Sequence, residues 1–373
     1  MNGNQAADVI TGVIAPAAAE VDRTGAFPRA GMEALGKAGV LGLTSATEVG
    51  GAGKGLSDAA DVVGSLAAVC GSTAMVTLMH YAATAVIEAH GPAEVRKAIA
   101  EGRYLATLAF SEAGSRSHFW APLSTAKDDG DGVGLDAHKS FVTAAGEADG
   151  YVWSSRPLSG TGPMSLWLVP AEADGLSVES AFDGLGLRGN ASSPMKARNV
   201  RPQAALGADG AGLDIALATA LPAFLVLSAA FSLGVMDALV ARAHERVATT
   251  RLEHLGQTLA GQPATRSAYA RVAIRRDQVR AFLNDTLTAL ETGREDATLR
   301  VLQVKAVAAE AAVEVADEVM RLCGGSALRR DAGVERHFRD ALAARVMAPT
   351  TEALYDFVGR ASFGLPLLGE GTA

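Results

Sequence analysis

The period of the hydrophobic pattern changes twice along this chain. Apolar residues recur at helical spacing in residues 30–38, 59–69 and 73–89, and this spacing returns from residue 212 onward. Between these regions, the pattern shortens to strands separated by turns rich in Gly, Pro, Asp and Ser. The predicted strands are residues 104–110, 134–138, 140–143, 151–154, 165–169 and 176–179. Helices, then strands, then helices predict an α+β fold in which a β-domain separates two helical domains.

The domain boundaries follow from these two changes. We expect an N-terminal helical domain at residues 1–104, a middle β-domain at 105–211 and a C-terminal helical bundle at 212–373. Long helices of this bundle are predicted at residues 212–250, 263–292, 297–322 and 334–363. Residues 215–236 are uncharged and long enough to span a bilayer. Because Pro222 interrupts them and a charged amphipathic helix follows directly, the sequence favours a buried bundle helix over a membrane span.

Charge, cysteine content and the N-terminal residues indicate which partners, metal sites and location to expect. The 373 residues carry a formal net charge of −8 without a run of Lys and Arg, which argues against nucleic acid and acidic membranes as partners. Cys70 and Cys323 stand far apart without metal-ligand spacing, which predicts free thiols and no metal site. The N-terminus lacks the basic start and apolar core of a signal peptide, so we expect a cytoplasmic protein.

Several short motifs follow one another along the chain. They are LAFSEAGS at residues 108–115, KSFVT at 139–143, LGLRG at 185–189, RNVRP at 198–202, LCGG at 322–325 and Arg-Asp-Ala at 339–341. In order and spacing this set resembles the landmarks of the acyl-CoA dehydrogenase family, and it covers essentially the whole chain. The resemblance implies the fold of that family: an N-terminal helical domain, a middle β-barrel or sheet domain and a C-terminal four-helix bundle, with FAD bound non-covalently.

The same resemblance implies which residues hold the flavin. Ser111 stands where the family has Thr, and with Gly114 and Ser115 it would approach the flavin pyrimidine and the pyrophosphate. The family's terminal Asp of this loop is missing. Phe141 takes the place of the family's Trp, which lies against the flavin ring, and Thr143 matches the Thr that reaches its N5 edge.

Family members clasp the adenine end of FAD with a neighbouring subunit, so the resemblance implies a homotetramer or a dimer. The residues at the corresponding positions are Arg251, Arg321, Gly324, Gly325, Thr350 and Glu352. The family's Arg-x-x-Phe-Gly setting is altered around Arg251. Gly324 and Gly325 also suit a plain helix C-cap, and that alternative stays open.

The catalytic base of the family is missing from its usual position. Dehydrogenation needs a carboxylate within hydrogen-bond reach of the substrate α-carbon. Counting on from Ala341, with Thr350 as a second anchor, the position of the family's Glu holds Ala348. Residues 220–230, where a minority of the family carries the base, contain no acid. Glu352 lies one helical turn beyond Ala348 and could act from there, could contact the cofactor, or could be a solvated charge.

Two histidines are further candidates for the site. His80 lies where some flavin monooxygenases of this fold place an active-site histidine, but ordinary dehydrogenases can also carry a histidine in that helix, and the sequence favours a satisfied core histidine over an active-site one. His118 follows the loop at 108–115 and could enter the substrate pocket. The sequence therefore predicts an FAD-dependent oxidoreductase acting on an acyl thioester of CoA or of an acyl carrier protein. The alternatives are a flavin-dependent monooxygenase of the same fold and a non-catalytic flavin- or CoA-binding relative.

Overall fold

The N-terminal part of the chain folds into helices around one central helix. A computed structural model describes residues 4–115 and 118–368. Its longest N-terminal helix, α5, is buried along almost its whole length, so α5 forms the centre of this domain rather than an amphipathic surface. The helices are α1 (Asn4–Val9), α2 (Ala15–Thr24), α3 (Arg29–Lys37), α4 (Leu56–Ala67), α5 (Gly71–His90) and α6 (Ala93–Ala100). A π-helical turn, Ile10–Ile14, joins the first two.

The middle domain consists of two four-stranded sheets. One has the order β1-β4-β5-β8 and the other β2-β3-β7-β6. All pairings are antiparallel except that of β1 with β4. The strands are β1 (Ala106–Ala109), β2 (Thr125–Asp128), β3 (Val133–Val142), β4 (Gly150–Ser155), β5 (Ser165–Pro170), β6 (Leu176–Val178), β7 (Ser193–Val200) and β8 (Ala204–Ala205). β4 is buried throughout, which places it at the centre of the domain.

The strand predictions were wrong in two respects. Residues 134–138 and 140–143 form one strand, β3, which runs through Lys139 and is irregular just after it. Lys139 fell between the two predicted strands, but it continues β3 with its side chain buried and paired. β2, β7 and β8 were missed. β2 and β7 carry charged residues on exposed positions, which hides the apolar alternation, and β8 has only two residues.

The C-terminal domain is a bundle of long helices with a short-helix tail. The long ones are α8 (Ala220–Thr249), α9 (Pro263–Glu291) and α10 (Ala297–Cys323), preceded by α7 (Gly212–Ala218). The predicted helix at 334–363 is instead three helices, α11 (Val334–Ala341), α12 (Ala343–Val346) and α13 (Thr351–Ser362). The break falls before Pro349, because proline disfavours helical backbone in the preceding residue. Thr350 then caps α13 by accepting a hydrogen bond from the Ala353 N–H at 3.3 Å.

Helix α8 lies at the centre of the molecule. It packs on α4 and α5 of the N-terminal domain and on α9, α10 and α11 of its own. The segment Gly212–Thr249 is apolar and long enough to cross a membrane. Of its most apolar 18-residue stretch, however, 94% is buried inside the fold. Burial on all sides explains its uniformly apolar sequence, in agreement with the predicted bundle helix.

All three domains meet at Arg339 and Asp340 of α11. The Arg339 guanidinium donates to both oxygens of Asp22 in α2, at 2.9 and 2.6 Å, and to the Leu185 carbonyl of the middle domain at 2.9 Å. The buried Asp340 carboxylate accepts from the Leu187 backbone N–H at 2.7 Å. Because each partner belongs to a different domain, these charge-assisted bonds fix the domains relative to one another.

Candidate functional site

An apolar cleft opens where the three domains meet, and it encloses about 540 Å³ when the open solvent at its mouth is included. Helix α5, strands β1 and β3, the loop after β1, helices α7 and α8 and the segment before α13 all contribute to it. Its lining is Met79, Leu108, Phe110, Ser111, Phe119, Ser140, Phe141, Ala216, Ala220, Leu221, Phe224, Ala348 and Pro349. Across residues 4–115 and 118–368 the lining holds no carboxylate, imidazole or amine. Among the described residues of the lining, the polar side-chain groups are the hydroxyls of Ser111 and Ser140.

Three of the residues predicted from the motifs come together in this cleft. Ser111 and Phe141 contribute from the middle domain and Ala348 from the C-terminal domain. Phe141 is 73% exposed, and its φ of 52° lies in the left-handed region that non-glycine residues rarely adopt. An exposed aromatic side chain, held in this conformation beside Ser111, gives a flat apolar surface that fits a planar ring system.

The other residues of the predicted flavin loop lie beside the cleft rather than in its lining. Thr143 is buried, and its hydroxyl is 3.1 Å from the Ser192 hydroxyl. Gly114 has a φ of 93°, so the turn there requires glycine. The Ser115 hydroxyl donates to the Glu112 carbonyl at 3.1 Å, which stiffens the turn.

A buried ion pair anchors this loop to the sheet. Lys139 Nζ lies 2.5 Å from Glu112 Oε1, and it also donates to the Ser154 carbonyl at 2.8 Å. The Glu112 carboxylate accepts in addition from the backbone N–H groups of Leu123 and Ser124, at 2.5 and 2.9 Å. Burial lowers the pKa of Lys139 to about 8. Burial opposes ionisation of Glu112 as well, but the Lys139 charge and these hydrogen bonds hold the pKa of that carboxyl below its usual range.

Ala348, which the motif count predicts to be the position of the family's base, has no acid beside it in the cleft lining formed by residues 4–115 and 118–368. Ala348 lines the cleft, whereas Glu352 is exposed in the first turn of α13 and is absent from the lining. The Glu352 charge acts instead on Lys305 of α10, where it raises the lysine pKa against the effect of burial. The predicted one-turn relation between the two residues was wrong, because Ala348 lies outside α13, before its N-cap Thr350.

The two candidate histidines are outside the cleft. His80 is fully buried: its Nδ1 accepts from the Ala106 N–H at 3.1 Å and its Nε2–H donates to the Leu41 carbonyl at 3.0 Å. Burial lowers the His80 pKa to about 4, so the ring is a neutral core group. His118 is exposed and stacks edge-on against Trp120 at 4.8 Å between ring centroids. It borders a second, neighbouring cleft that also includes Lys127 and Arg156.

The residues predicted to serve a neighbouring subunit lie at the surface of the C-terminal domain. The side chains of Arg251 and Arg321 are 59% and 72% exposed. Gly324 and Gly325 are exposed as well, and the space around both would admit a Cβ. Gly324 ends α10 with a φ of 65°, so the C-cap interpretation also holds for it.

Sequence reasoning missed Met79, Phe119 and Phe224 as cleft residues. Met79 and Phe224 lie on α5 and α8, whose apolar residues form one continuous pattern. Nothing in that pattern separates a side chain facing a cleft from one facing the core. For Phe119 there was a signal, since it lies four residues after the end of the flavin-loop motif at Ser115.

Comparison with known proteins decides the family. The acyl-CoA dehydrogenase N-terminal, middle and C-terminal domain models match residues 3–107, 107–200 and 210–363. The chain belongs to the acyl-CoA dehydrogenase family. This confirms the resemblance seen in the motifs, and the family's order of helical, sheet and helical domains is the one described above.

Individual members of the acyl-CoA dehydrogenase family match over nearly the whole chain. The mitochondrial short-chain specific acyl-CoA dehydrogenase of Bos taurus is 27% identical, over 90% of this chain and 83% of that protein. The structure of butyryl-CoA dehydrogenase from Megasphaera elsdenii has a TM-score of 0.90 at 21% identity, covering 96% of both chains. The prolyl acyl carrier protein oxidase AnaB has a TM-score of 0.87 at 19% identity, covering 97% of this chain and 99% of the other. These two structures share the fold.

Proposed function

We propose that this family member is an FAD-dependent oxidoreductase that acts on an acyl thioester carried by CoA or by an acyl carrier protein. The observation that carries the proposal is the apolar cleft, to which Ser111 and Phe141 contribute on the sheet side and Ala348 on the helical side. FAD, when bound, would accept the hydride. Family membership and the relatives' names support the reaction class.

The residues of the chain would divide the work between cofactor and substrate. Phe141 would pack against the flavin ring, and Ser111 would bond its pyrimidine edge. Thr143 lies two residues beyond Phe141 and would need to turn from Ser192 to reach the ring. The mostly apolar cleft would bind the acyl chain and exclude water from it.

The adenine end of FAD would be clasped by a second subunit. The proposed contacts are Arg251, Arg321, Gly324, Gly325, Thr350 and Glu352. The C-terminal domain also exposes several large apolar side chains, which suits burial in a homo-oligomer. They are Leu328, Val346, Tyr355 and Phe363. Gel filtration should give a dimer or tetramer, and a monomer that takes up no FAD would contradict the assignment.

The lack of a base limits the reaction. A positioned general base contributes about 10² to 10⁴ in rate. With Ala348 at its position, the protein should oxidise a simple straight-chain acyl-CoA slower than its relatives by roughly that factor. Substrates whose α-proton is more acidic would show a smaller loss of rate. The same observation supports a second candidate, a flavin-dependent monooxygenase of this fold, because that chemistry does not need the missing carboxylate.

One experiment separates these candidates. The FAD-loaded protein is mixed without oxygen with acyl-CoA and acyl carrier protein thioesters, and the visible flavin absorbance is followed. Bleaching by a thioester establishes the acyl-thioester oxidoreductase and identifies the carrier. If no thioester bleaches the flavin and turnover needs a reductase and oxygen, the monooxygenase is correct. FAD binding without either response would leave the non-catalytic relative.

A further inference from the structure

A lysine lies buried in the bundle beneath the cleft. Lys305 is on α10, and its side chain is fully buried. Its Nζ donates to three backbone carbonyls: Ala344 at 3.0 Å, Met347 at 2.9 Å and Pro349 at 2.7 Å. An ammonium group has three N–H donors and no acceptor. Every donor of Lys305 is therefore used on one short segment of backbone.

That segment is a wall of the cleft. It links α12 to α13 and contributes Ala348 and Pro349 to the lining. Between the two helices its carbonyls have no helical partner, so they need donors from elsewhere. Lys305 supplies these donors from the far side of the wall. Its Nζ also lies 6.0 Å from the ring centroid of Phe224, another lining residue.

The cost of burying this charge indicates that the arrangement is specific. Burial lowers the pKa of Lys305 to about 7, with the negative charge of Glu352 acting in the opposite direction. A buried ammonium is tolerated only when its hydrogen bonds are satisfied. An apolar residue would pack at this position without that cost, but it would leave three carbonyls of residues 344–349 without donors.

We propose that Lys305 is a positioning residue that fixes the cleft wall at Ala348 and Pro349 and thereby sets the shape of the site for the acyl group. The positioning of the wall stands on the contacts alone, whereas the acyl group as occupant rests on the proposed function. Ser111 and Phe141, the proposed flavin contacts, lie in the middle domain. Thr350 and Glu352, proposed for the adenine end of FAD, adjoin the wall, so FAD content is measured as well. Loss of Lys305 should weaken acyl binding in protein that retains its FAD.

The test compares Lys305→Met and Lys305→Arg with a control, Val315→Ala. Val315 is buried on the same helix, about 15 Å further along its axis at 1.5 Å per residue, so its truncation lowers stability without touching the wall. Three properties are measured on each FAD-loaded protein. They are the FAD content, the affinity for butyryl-CoA from the perturbation of the flavin spectrum, and hydrogen–deuterium exchange of peptides covering 343–350.

Lys305→Met should exchange faster at residues 343–350 and should bind butyryl-CoA about tenfold more weakly, which corresponds to the loss of about one hydrogen bond. Affinities are compared at equal FAD content, because the wall adjoins Thr350 and Glu352. Lys305→Arg keeps the charge but not the shape of the side chain. Its exchange rate at residues 343–350 and its affinity for butyryl-CoA should lie between those of wild type and Lys305→Met. Val315→Ala should change neither exchange at 343–350 nor affinity.

Two results would overturn the proposal. One is wild-type exchange at residues 343–350 in Lys305→Met, and the other is an affinity loss no greater than that of Val315→Ala. If Lys305→Met fails to fold, Lys305→Arg carries the test, and wild-type exchange and affinity in that variant would count against the proposal. If wild-type protein binds no acyl-CoA, the proposed function fails, while the exchange data still decide the role of Lys305.

Discussion

The substitution Ala348→Glu places a carboxyl group at the position that the motif count predicts for the family's base. Ala348 lines the cleft and is half-buried, so a longer side chain there can extend into the empty volume. The added group would enter a mostly apolar lining that contains Phe224 and Pro349. Whether it works as a base depends on its ionisation, which two opposite effects control.

Desolvation by the apolar lining raises the pKa of the added carboxyl, by up to about 3–5 units for full burial. Lys305 acts in the other direction, because its Nζ bonds to the carbonyls of Met347 and Pro349 on both sides of position 348. The Lys305 charge is lost as the pH rises above its own pKa of about 7, so this attraction favours ionisation mainly at lower pH. The half-exposed position of residue 348 limits the desolvation. We therefore expect the added carboxyl to ionise between pH 6 and pH 9.

The predicted outcome is faster flavin reduction. Ala348→Glu should speed the anaerobic bleaching of the flavin by butyryl-CoA by at least about tenfold, a part of the 10² to 10⁴ that a positioned base typically contributes. Stopped-flow absorbance from pH 6 to pH 9 measures the rate, which should rise with pH as the carboxyl ionises. Ala348→Gln has the same size without the charge and should show no gain. Equal rates for the two variants at every pH, with FAD and butyryl-CoA bound in both, would refute the reasoning.

Three further changes test the surroundings of the site. Glu112→Ala strands the buried Lys139 charge and should cost about 3–5 kcal/mol in urea unfolding, whereas the double change Glu112→Gln with Lys139→Met should cost much less. His80→Gln should reduce the loss of unfolding free energy at acid pH. Because the His80 pKa falls from 6.5 to about 4 on folding, the unfolded chain holds the extra proton between these pH values, and wild type should lose about 3 kcal/mol more than the variant as the pH drops from 6.5 to 4. Thr143→Ala should change the rate of flavin reduction more than FAD occupancy, measured on the same samples.

Each of these predictions has a contrary result. Equal stability of Glu112→Ala and the double variant would mean that Lys139 finds another partner. For His80, the comparison is made at the same pH because the buried Asp340, with its pKa raised to about 6, contributes with the opposite sign between pH 3.8 and 6. If wild type and His80→Gln lose equal unfolding free energy on acidification, the His80 ring is not neutral in the folded protein. Thr143→Ala protein without FAD would make Thr143 a binding residue.

The fold followed from the sequence because its largest signals are local. The two changes of hydrophobic period separate the domains, and the order of the motifs identified the family. Ser111, Phe141 and Ala348 come from three separate stretches, yet the motif alignment placed all three in one cleft. Pro349 carried an available signal for the end of a helix that the periodic pattern from 334 to 363 concealed.

The roles that the sequence did not predict depend on contacts between residues far apart along the chain. The sequence around His80 does not distinguish a ring that faces a ligand from one that bonds the Leu41 carbonyl and the Ala106 N–H. Lys305 looked like one more charged residue in an amphipathic helix, because its three acceptors lie about 40 residues further on. Its role emerges only once the backbone of residues 344–349 is placed in space.

The central position of α8 also affects how the chain folds as it is synthesised. Two of its partners, α4 and α5, have already left the ribosome when α8 appears, but α10 is complete only at Cys323. At about 5–20 residues per second, several seconds pass before the second half of its apolar surface can be covered. During that interval α8 is a strong ligand for chaperones that bind hydrophobic segments. The yield of folded protein should therefore depend on chaperone supply more than on the equilibrium stability of the finished bundle.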